Sequence, residues 1–347
     1  DGRTLPAAQA LEFAGIPLLR LRPKDALAFI SANAVSVGIG ALVARRAGRV
    51  ARMADLAGAL AMEALDANLS PFAPAVQDAK PFAGQADAAE NVRNLLRGSR
   101  LERPGVAASR QDALSFRTMP QVHGALREQM AAAQRAVAVE LAGRSDNPLV
   151  VPETGETLSN GNFQPLVLAL AFESLRVAIA HVAMLSERRM AKLIQRAWED
   201  GGRASRLAVD APEGEARYRF PGLMSYSAAS LVAELKHLAA PITLGVPPLD
   251  FDVEDHSSLA NAAVMTTRTA LEKLETVLSI EALLAVHEIG QRDLAGQLGQ
   301  GTGRALAAVQ GLADTMVDPD PLAADLVQQL HDVMAELLAE EDRPLRV

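Results

Sequence analysis

Cysteine is absent from the 347 residues, which excludes a disulfide framework, a thiolate nucleophile and a cysteine-ligated metal within the chain. That composition suits a reducing cytoplasm, the expected compartment. Aromatic residues make up only 3% of the chain although hydrophobic residues reach 49%, so Ala, Leu and Val must build the core. Ala and Leu are strong helix formers, and the expected class is all-α. Positive charge is also short: 34 Lys and Arg against 42 Asp and Glu leave a net charge of −8, which argues against a general nucleic-acid partner. The longest apolar run, Phe163 to Phe172, is followed at once by Glu173 and Arg176, too soon for an expected membrane span. Asp1-Gly-Arg-Thr-Leu-Pro6 has neither an initiator Met nor the apolar stretch of a signal peptide, so the chain is expected to begin partway into a longer gene product or downstream of a removed segment. The dipeptide Ser-Gly occurs nowhere.

What is present is helical periodicity. Lys24 to Ala67 carries apolar residues three and four apart, with Gly38 and Gly40 as points where helices can approach closely. Pro71-Phe-Ala-Pro74 and Lys80-Pro-Phe-Ala-Gly84 read as loop, Ala86 to Arg97 as a short helix ended by Gly98, and residues 98–112 as irregular. Pro120 to Ala142 is helical and closes at Gly143. Pro165 to Ala197 reads as one helix of about 33 residues, roughly 50 Å long, and Ser257 to Gln291 as another of similar length. The centres of both are apolar nearly all round, so they need neighbours on every side. The expected fold is a long-helix bundle completed by other subunits. Strand signal is confined to Leu149-Val-Val151 and a Thr154-Gly155 turn, read as a small hairpin. Trp198 to Pro221 reads as a loop and Pro321 to Val347 as an amphipathic helix with a short tail. With no internal repeat or domain boundary, residues 1–347 are expected to form a single domain.

Two constellations carry chemistry. Gln111 and Arg117 lie six apart, just before a helix. Arg grips a carboxylate through two parallel charge-assisted hydrogen bonds, and a nearby Gln can donate to an oxygen on which charge develops. The bland alternative for Arg117 is an intramolecular ion pair. Val253-Glu-Asp-His256 resembles an acid–base cluster, although adjacent helical residues diverge and these three cannot hold a metal among themselves. Helix capping by Glu254 is the alternative there.

Other motifs fail. His287-Glu288 lacks the second His of a zinc-protease helix, and Gly299-Gln-Gly-Thr-Gly303 lacks the strand and the Lys-Ser/Thr of a phosphate loop, so it reads as a helix connection. Asp250-Phe-Asp-Val-Glu254 lacks the Gly of a calcium loop. Arg45, Arg46, Arg49 and Arg52 form a basic helical face, read as solvated or inter-subunit.

Ordered along the chain stand Arg3-Thr-Leu-Pro6, Lys24-Asp-Ala-Leu-Ala-Phe-Ile30, Lys80-Pro-Phe-Ala-Gly-Gln85 and Gln111-Asp-Ala-Leu-Ser-Phe-Arg-Thr-Met-Pro-Gln121. They are followed by Ser145-Asp-Asn-Pro-Leu149, Asn160-Gly-Asn-Phe163, Leu185-Ser-Glu-Arg-Arg189 and Glu254-Asp-His256. Each is weak alone, but the ordered set resembles the histidine and aromatic amino-acid ammonia-lyase family from about residue 3 to the C-terminus. The resemblance implies a mostly helical homotetramer whose active sites are each shared among three subunits. It also implies an electrophile, methylidene-imidazolone, cyclised from an internal Ala-Ser-Gly, and a basic Tyr on a loop. Both belong to the part of a family member that precedes residue 1. On this likeness Arg117 binds the substrate carboxylate, Gln111 lies near the electrophile, Phe163 packs against it, and Glu254 marks the histidine-specific branch.

Three positions depart from the family. Ser31-Ala-Asn33 stands where Asn-Gly-Thr contacts the electrophile, Leu114 where a Tyr lies between the Gln and the Arg, and Gln164 where histidine lyases carry a His. Leu114 cannot donate, accept or titrate.

The first expectation is therefore the large subunit or fragment of an ammonia-lyase or aminomutase. It would act on a small amino acid, with Gln111, Glu254 and Ser31 as catalytic groups and Arg117, Phe163 and Leu114 lining the substrate. No cofactor arises within the chain; methylidene-imidazolone would come from a missing segment or a small partner subunit bearing Ala-Ser-Gly. The alternatives are a non-catalytic binding or assembly protein of the same fold, and a chain that has lost its N-terminal third. Neither a membrane nor a nucleic acid is expected as a partner.

Overall fold

The structure, a computed structural model, describes residues 4–199, 224–245, 247–315 and 323–339. Alanine content sets its spine. Helix α3 (Ala34–Leu65) follows two short helices, α1 (Ala7–Phe13) and α2 (Asp25–Ser31), and every residue from Met53 to Ala64 on it is buried. Ala47, Ala54, Ala57, Ala59, Ala61 and Ala64 are fully enclosed, and their small side chains let neighbouring helices close in around the whole circumference. The expected helix over Lys24–Ala67 is broken at Ala32-Asn33, where the chain bends by 43° between α2 and α3. It stops at Asp66, which takes the left-handed conformation at φ 55.

Helices α8 (Leu166–Glu199) and α10 (Ala260–Gln291) complete the core with α3. The amphipathic α7 (Met119–Ala142) packs on α8 and α3, and α5 (Ala83–Leu95) covers α7. Helix α9 (Met224–Leu238) closes over α8 and α10, while α11 (Gln300–Thr315) and α12 (Ala323–Ala339) lie along α3, α5 and α10. The one-turn helices α4 (Pro74–Asp78) and α6 (Leu114–Arg117) punctuate the loops. The hairpin pairs β1 (Leu149–Val151) with β2 (Glu156–Leu158) through a turn at Gly155, whose φ is 73. The all-α expectation therefore holds. Most of the expected loop at Trp198–Pro221, and the tail after Ala339, lie outside the described residues, and α9 had no counterpart among the expected elements.

The two longest apolar segments behave differently from their patterns. The centre of α10, Leu278 to Ala285, is enclosed by this chain's own helices and needs no second copy. Helix α8 instead leaves Val167, Leu170 and Val177 facing outward. By length and composition alone Leu166–Ala197 passes for a membrane span despite Glu173 and Arg176, but 56% of its most apolar window is buried inside the fold, as a core helix is. Those charges serve the core instead. Arg176 is buried and donates to Ala263 O at 2.9 Å and Leu238 O at 2.9 Å, while Glu173 accepts from the backbone N–H groups of Ile242 and Thr243 at 2.7 and 3.0 Å.

Close backbone approach replaces large side chains at two crossings. A Cβ on Gly124 of α7 would lie 2.6 Å from the backbone of Gln85 in α5. A Cβ on Gly299 would lie 2.5 Å from Leu95 O, and the Gly299 N–H donates to the buried Glu63 carboxylate at 2.8 Å. Glu63 also accepts from Ser99 Oγ at 2.7 Å and Thr302 Oγ1 at 3.1 Å, so the Gly299–Gly303 motif, expected as a helix connection, is the docked first turn of α11. Gly38 has nothing within 4 Å, whereas Gly40 does face a neighbour, the Phe172 ring, at 3.3 Å. A Gly124→Ala substitution forces backbone against backbone and is expected to destabilise the chain by about 1–3 kcal/mol in urea unfolding. Gly38→Ala, in open helix, is expected to be neutral or slightly stabilising.

Candidate functional site

Residues 108–117 are bolted to the C-terminal end of α3. Ala108 N–H donates to Asp66 O at 2.8 Å, Asn68 N–H to Asp112 Oδ2 at 2.6 Å, and Asn68 Nδ2 to Arg110 O at 2.9 Å. The turn of α6 is held from beneath by Arg189, whose Nη1 donates to Ser115 O at 3.2 Å. Arg189 is itself fixed by a two-pronged pair with Glu281, at 2.5 and 2.9 Å, and neither side chain is exposed.

On this platform Arg117 is half-buried. Its Nε is enclosed without a hydrogen-bond partner, and no carboxylate of the described chain pairs with it, so the ion-pair alternative is not realised. Gln111 is exposed, with only its backbone N–H engaged, to Ser109 Oγ at 3.0 Å. Leu114 presents its side chain to solvent at 62% exposure, between the two polar groups.

The other expected residues gather elsewhere. Ser31 ends α2, and its hydroxyl donates back to Leu27 O at 2.8 Å, so it is spent within its own helix. Two residues on, Asn33 Nδ2 reaches Phe163 O at 3.2 Å. Gln164 donates through Nε2 to His256 O at 3.0 Å and accepts from Ser258 N–H at 3.2 Å. Glu254, two residues before His256, is exposed and bridged through its backbone to Leu249, and Phe163 is half-buried. Glu254 lies before the first residue of α10, so it does not cap that helix, whose N-cap is Leu259. An open groove of about 500 Å³ adjoins the cluster, lined by Lys24, Ser31, Arg144, Ser145 and Asp146 among others. Lys24 crosses it, pairing with Asp146 at 2.6 Å and Pro148 O at 2.6 Å.

One chain therefore splits the expected constellation into two groups. Gln111, Leu114 and Arg117 sit near Arg189, while Ser31, Phe163 and Glu254 sit near the start of α8. The stretch of α8 from Leu166 to Arg189, at about 1.5 Å per residue, separates them by roughly 35 Å. Asn33 and Gln164 tie the second group together. The only advance signal for Asn33 was an amide two residues after Ser31, and contacts spanning more than ninety residues, such as those of Gln164, leave none in the local pattern. Among the described residues no group of His, Asp and Glu side chains could hold a metal.

Beneath α6 and the start of α7 lies a buried polar cluster. His123 Nδ1 meets Asp55 Oδ1 at 2.8 Å, while Arg127 and Asn91 donate to Asp55 Oδ2 at 2.5 and 2.7 Å. Burial pushes the Asp55 carboxyl up, but Arg127, His123 and Asn91 outweigh it and hold Asp55 below the ordinary carboxylate range. Burial pushes His123 below the ordinary imidazole value against the pull of Asp55.

This helical architecture is that of solved ammonia-lyases and aminomutases. The chain superposes on a tyrosine aminomutase from Streptomyces globisporus with a TM-score of 0.83 and 29% identity, covering 100% of this chain and 69% of that one. An ergothioneine-degrading ergothionase from Treponema denticola gives a TM-score of 0.83 at 26% identity, over 95% of this chain and 65% of that one. Residues 1–311 match the model of the aromatic amino acid lyase family, and the chain belongs to that family. A histidine ammonia-lyase from Anaeromyxobacter dehalogenans is 38% identical over 292 residues, 83% of this chain and 56% of the relative. The chain thus spans little more than half the length of that curated relative.

His123 gives a signed pH prediction. Its folded-state value is depressed, so the unfolded chain takes up the proton first and His123 costs stability as pH falls through about 6.5. Comparing wild type with His123→Gln removes the contributions of His287 and His331, which both proteins share. The stability difference is expected to move in favour of the variant between pH 7.5 and 5.5, approaching about 1.4 kcal/mol per pH unit. Parallel stability curves would show that His123 takes up its proton equally in both states.

Proposed function

We propose that these residues supply the substrate-gripping and core part of an amino-acid ammonia-lyase or aminomutase, which removes or moves the α-amino group. The electrophile comes from an Ala-Ser-Gly segment outside the 347 residues, in the same polypeptide or in a small partner subunit. The observation that carries this reading is Arg117: a half-buried guanidinium with an enclosed, unpartnered Nε and no carboxylate partner among the described residues. A buried charged donor left without a partner is costly, and a substrate carboxylate satisfies it in two-pronged geometry.

The roughly 35 Å between the two groups is read as an active site completed between copies of the chain, Gln111 and Arg117 from one and Phe163 and Glu254 from another. Apolar residues exposed around the second group, Phe29, Ile30, Val35 and Val167 among them, supply surface for that contact.

The donor set suits the expected electrophile. The amide of Gln111 is exposed and uncommitted, and the Phe163 ring is half-buried. Methylidene-imidazolone, when bound, supplies an electron-poor double bond that accepts the substrate amine. The chain's own residues do the rest. Arg117 fixes the carboxylate, Gln111 donates to an oxygen on which charge develops, and the exposed Glu254 carboxylate offers an acceptor to a polar substrate side chain. Leu114 moves no proton, and on the family likeness proton abstraction falls to the loop Tyr of the segment that precedes residue 1.

Leu114 and the internally bonded Ser31 favour the second reading, a non-catalytic binding or assembly protein of the same fold. The test is to assemble the chain with a family segment bearing Ala-Ser-Gly and assay ammonia release and isomerisation over a panel of amino acids. On the lyase reading Arg117→Ala raises KM about 10- to 150-fold, the value of a hydrogen bond to a charged group, and Arg117→Lys recovers only part of it. An assembled tetramer that turns over no amino acid overturns the lyase reading.

A further inference from the structure

The segment 249–258, which carries Glu254, is an unfavourable stretch of backbone. Asp250, Phe251 and Asp252 take φ values of 47, 54 and 67, three successive side-chain-bearing residues in the left-handed region. Phe251 at the tip is fully exposed and Leu249 and Val253 are largely so, so apolar packing does not hold the turn in place. Within the segment, Leu249 and Glu254 exchange backbone hydrogen bonds of 2.8 and 3.1 Å, which close the turn without attaching it to the bundle.

Among the described residues, the side-chain hydrogen bonds that attach the segment to the bundle come from Gln164. Gln164 uses both halves of its amide: Nε2 donates to His256 O at 3.0 Å and Oε1 accepts from Ser258 N–H at 3.2 Å. Ser258 is 6% exposed, so its N–H needs a partner inside the protein, and Gln164 provides one. The adjacent peptide is fixed as well, since Phe163 O accepts from Asn33 Nδ2 at 3.2 Å. The dipeptide Phe163-Gln164 thus joins the α2–α3 bend, the start of α8 and the approach to α10.

We propose that Gln164 is a positioning residue that sets Glu254 relative to Phe163, an assignment that rests on the reading of Glu254 as a site residue. The amide suits the task because one planar group supplies a donor and an acceptor to two backbone sites at once. A carboxylate loses the donor and an aliphatic side chain loses both.

Two variants test it. In the 347-residue chain, Gln164→Leu is expected to speed hydrogen exchange at the Ser258 amide about fivefold or more, the loss of one neutral hydrogen bond. Gln164→Glu, which keeps the acceptor, is expected to stay near wild type at that amide. In the assembly with an Ala-Ser-Gly segment, both variants are expected to lower kcat about tenfold or more while KM, set by Arg117, is held. In the Gln164→Glu enzyme, kcat relative to wild type recovers as the introduced carboxyl takes up its proton and regains a donor.

Unchanged Ser258 exchange in Gln164→Leu overturns the proposal, as does wild-type kcat in both variants. A wild-type assembly that turns over no amino acid, with Ser258 exchange still responding, refutes the lyase reading and leaves the clamp supported.

Discussion

The pair between Arg189 and Glu281 is the interaction on which the rest of the structure depends. Both groups are fully enclosed where α8 crosses α10, beside the part of α3 that carries Gly58. Isolated, either charge would be prohibitively desolvated, and the two-pronged geometry at 2.5 and 2.9 Å offsets that cost. The third donor of the guanidinium is then free to hold Ser115 O, which places α6 and hence Arg117. A charge pair of the core thereby anchors the short helix that carries Arg117. Breaking it by removing one partner leaves a buried charge uncompensated, at a cost of about 3–5 kcal/mol.

The same logic governs the polar groups elsewhere in the bundle. Glu63, Asp55, Glu173 and Arg176 each sit in or beside an apolar helix, and each ties a distant segment to it. With only 3% aromatic residues the core has few bulky side chains with which to define unique packing. Small residues allow close helix approach, and buried polar anchors choose which loop meets which helix. Arg117 departs from that pattern: a half-buried charge with no carboxylate partner among the described residues.

Much of the architecture was legible in the sequence because helical periodicity is local. The spans of α7, α8 and α10, the short helix α5 and the hairpin after Asn147-Pro148 follow from residue spacing, glycine and proline. The bend at Ala32-Asn33 was not legible, since nothing in the spacing interrupts the apolar pattern there. The enclosure of α10 was misjudged because an all-round apolar helix states only that neighbours exist, not which chain supplies them. The site was legible as a set of residues, through the ordered motifs, but its division into two groups was not. Gln164 and Asn33, which join the second group, act across 92 and 130 residues.

The sequence by itself determined the helical class, the lengths of the main helices, the family resemblance and the residue types at Gln111, Arg117, Phe163 and Glu254. It could do so because side-chain chemistry and periodicity are written residue by residue. Tertiary structure alone decided that Arg117 has no carboxylate partner among the described residues, that the Ser31 hydroxyl donates to Leu27 O, and that the Arg117 and Glu254 groups lie far apart along α8. Those facts depend on which distant groups meet. The length of a helix of 34 residues, more than any local preference, sets how far apart the two halves of the constellation stand.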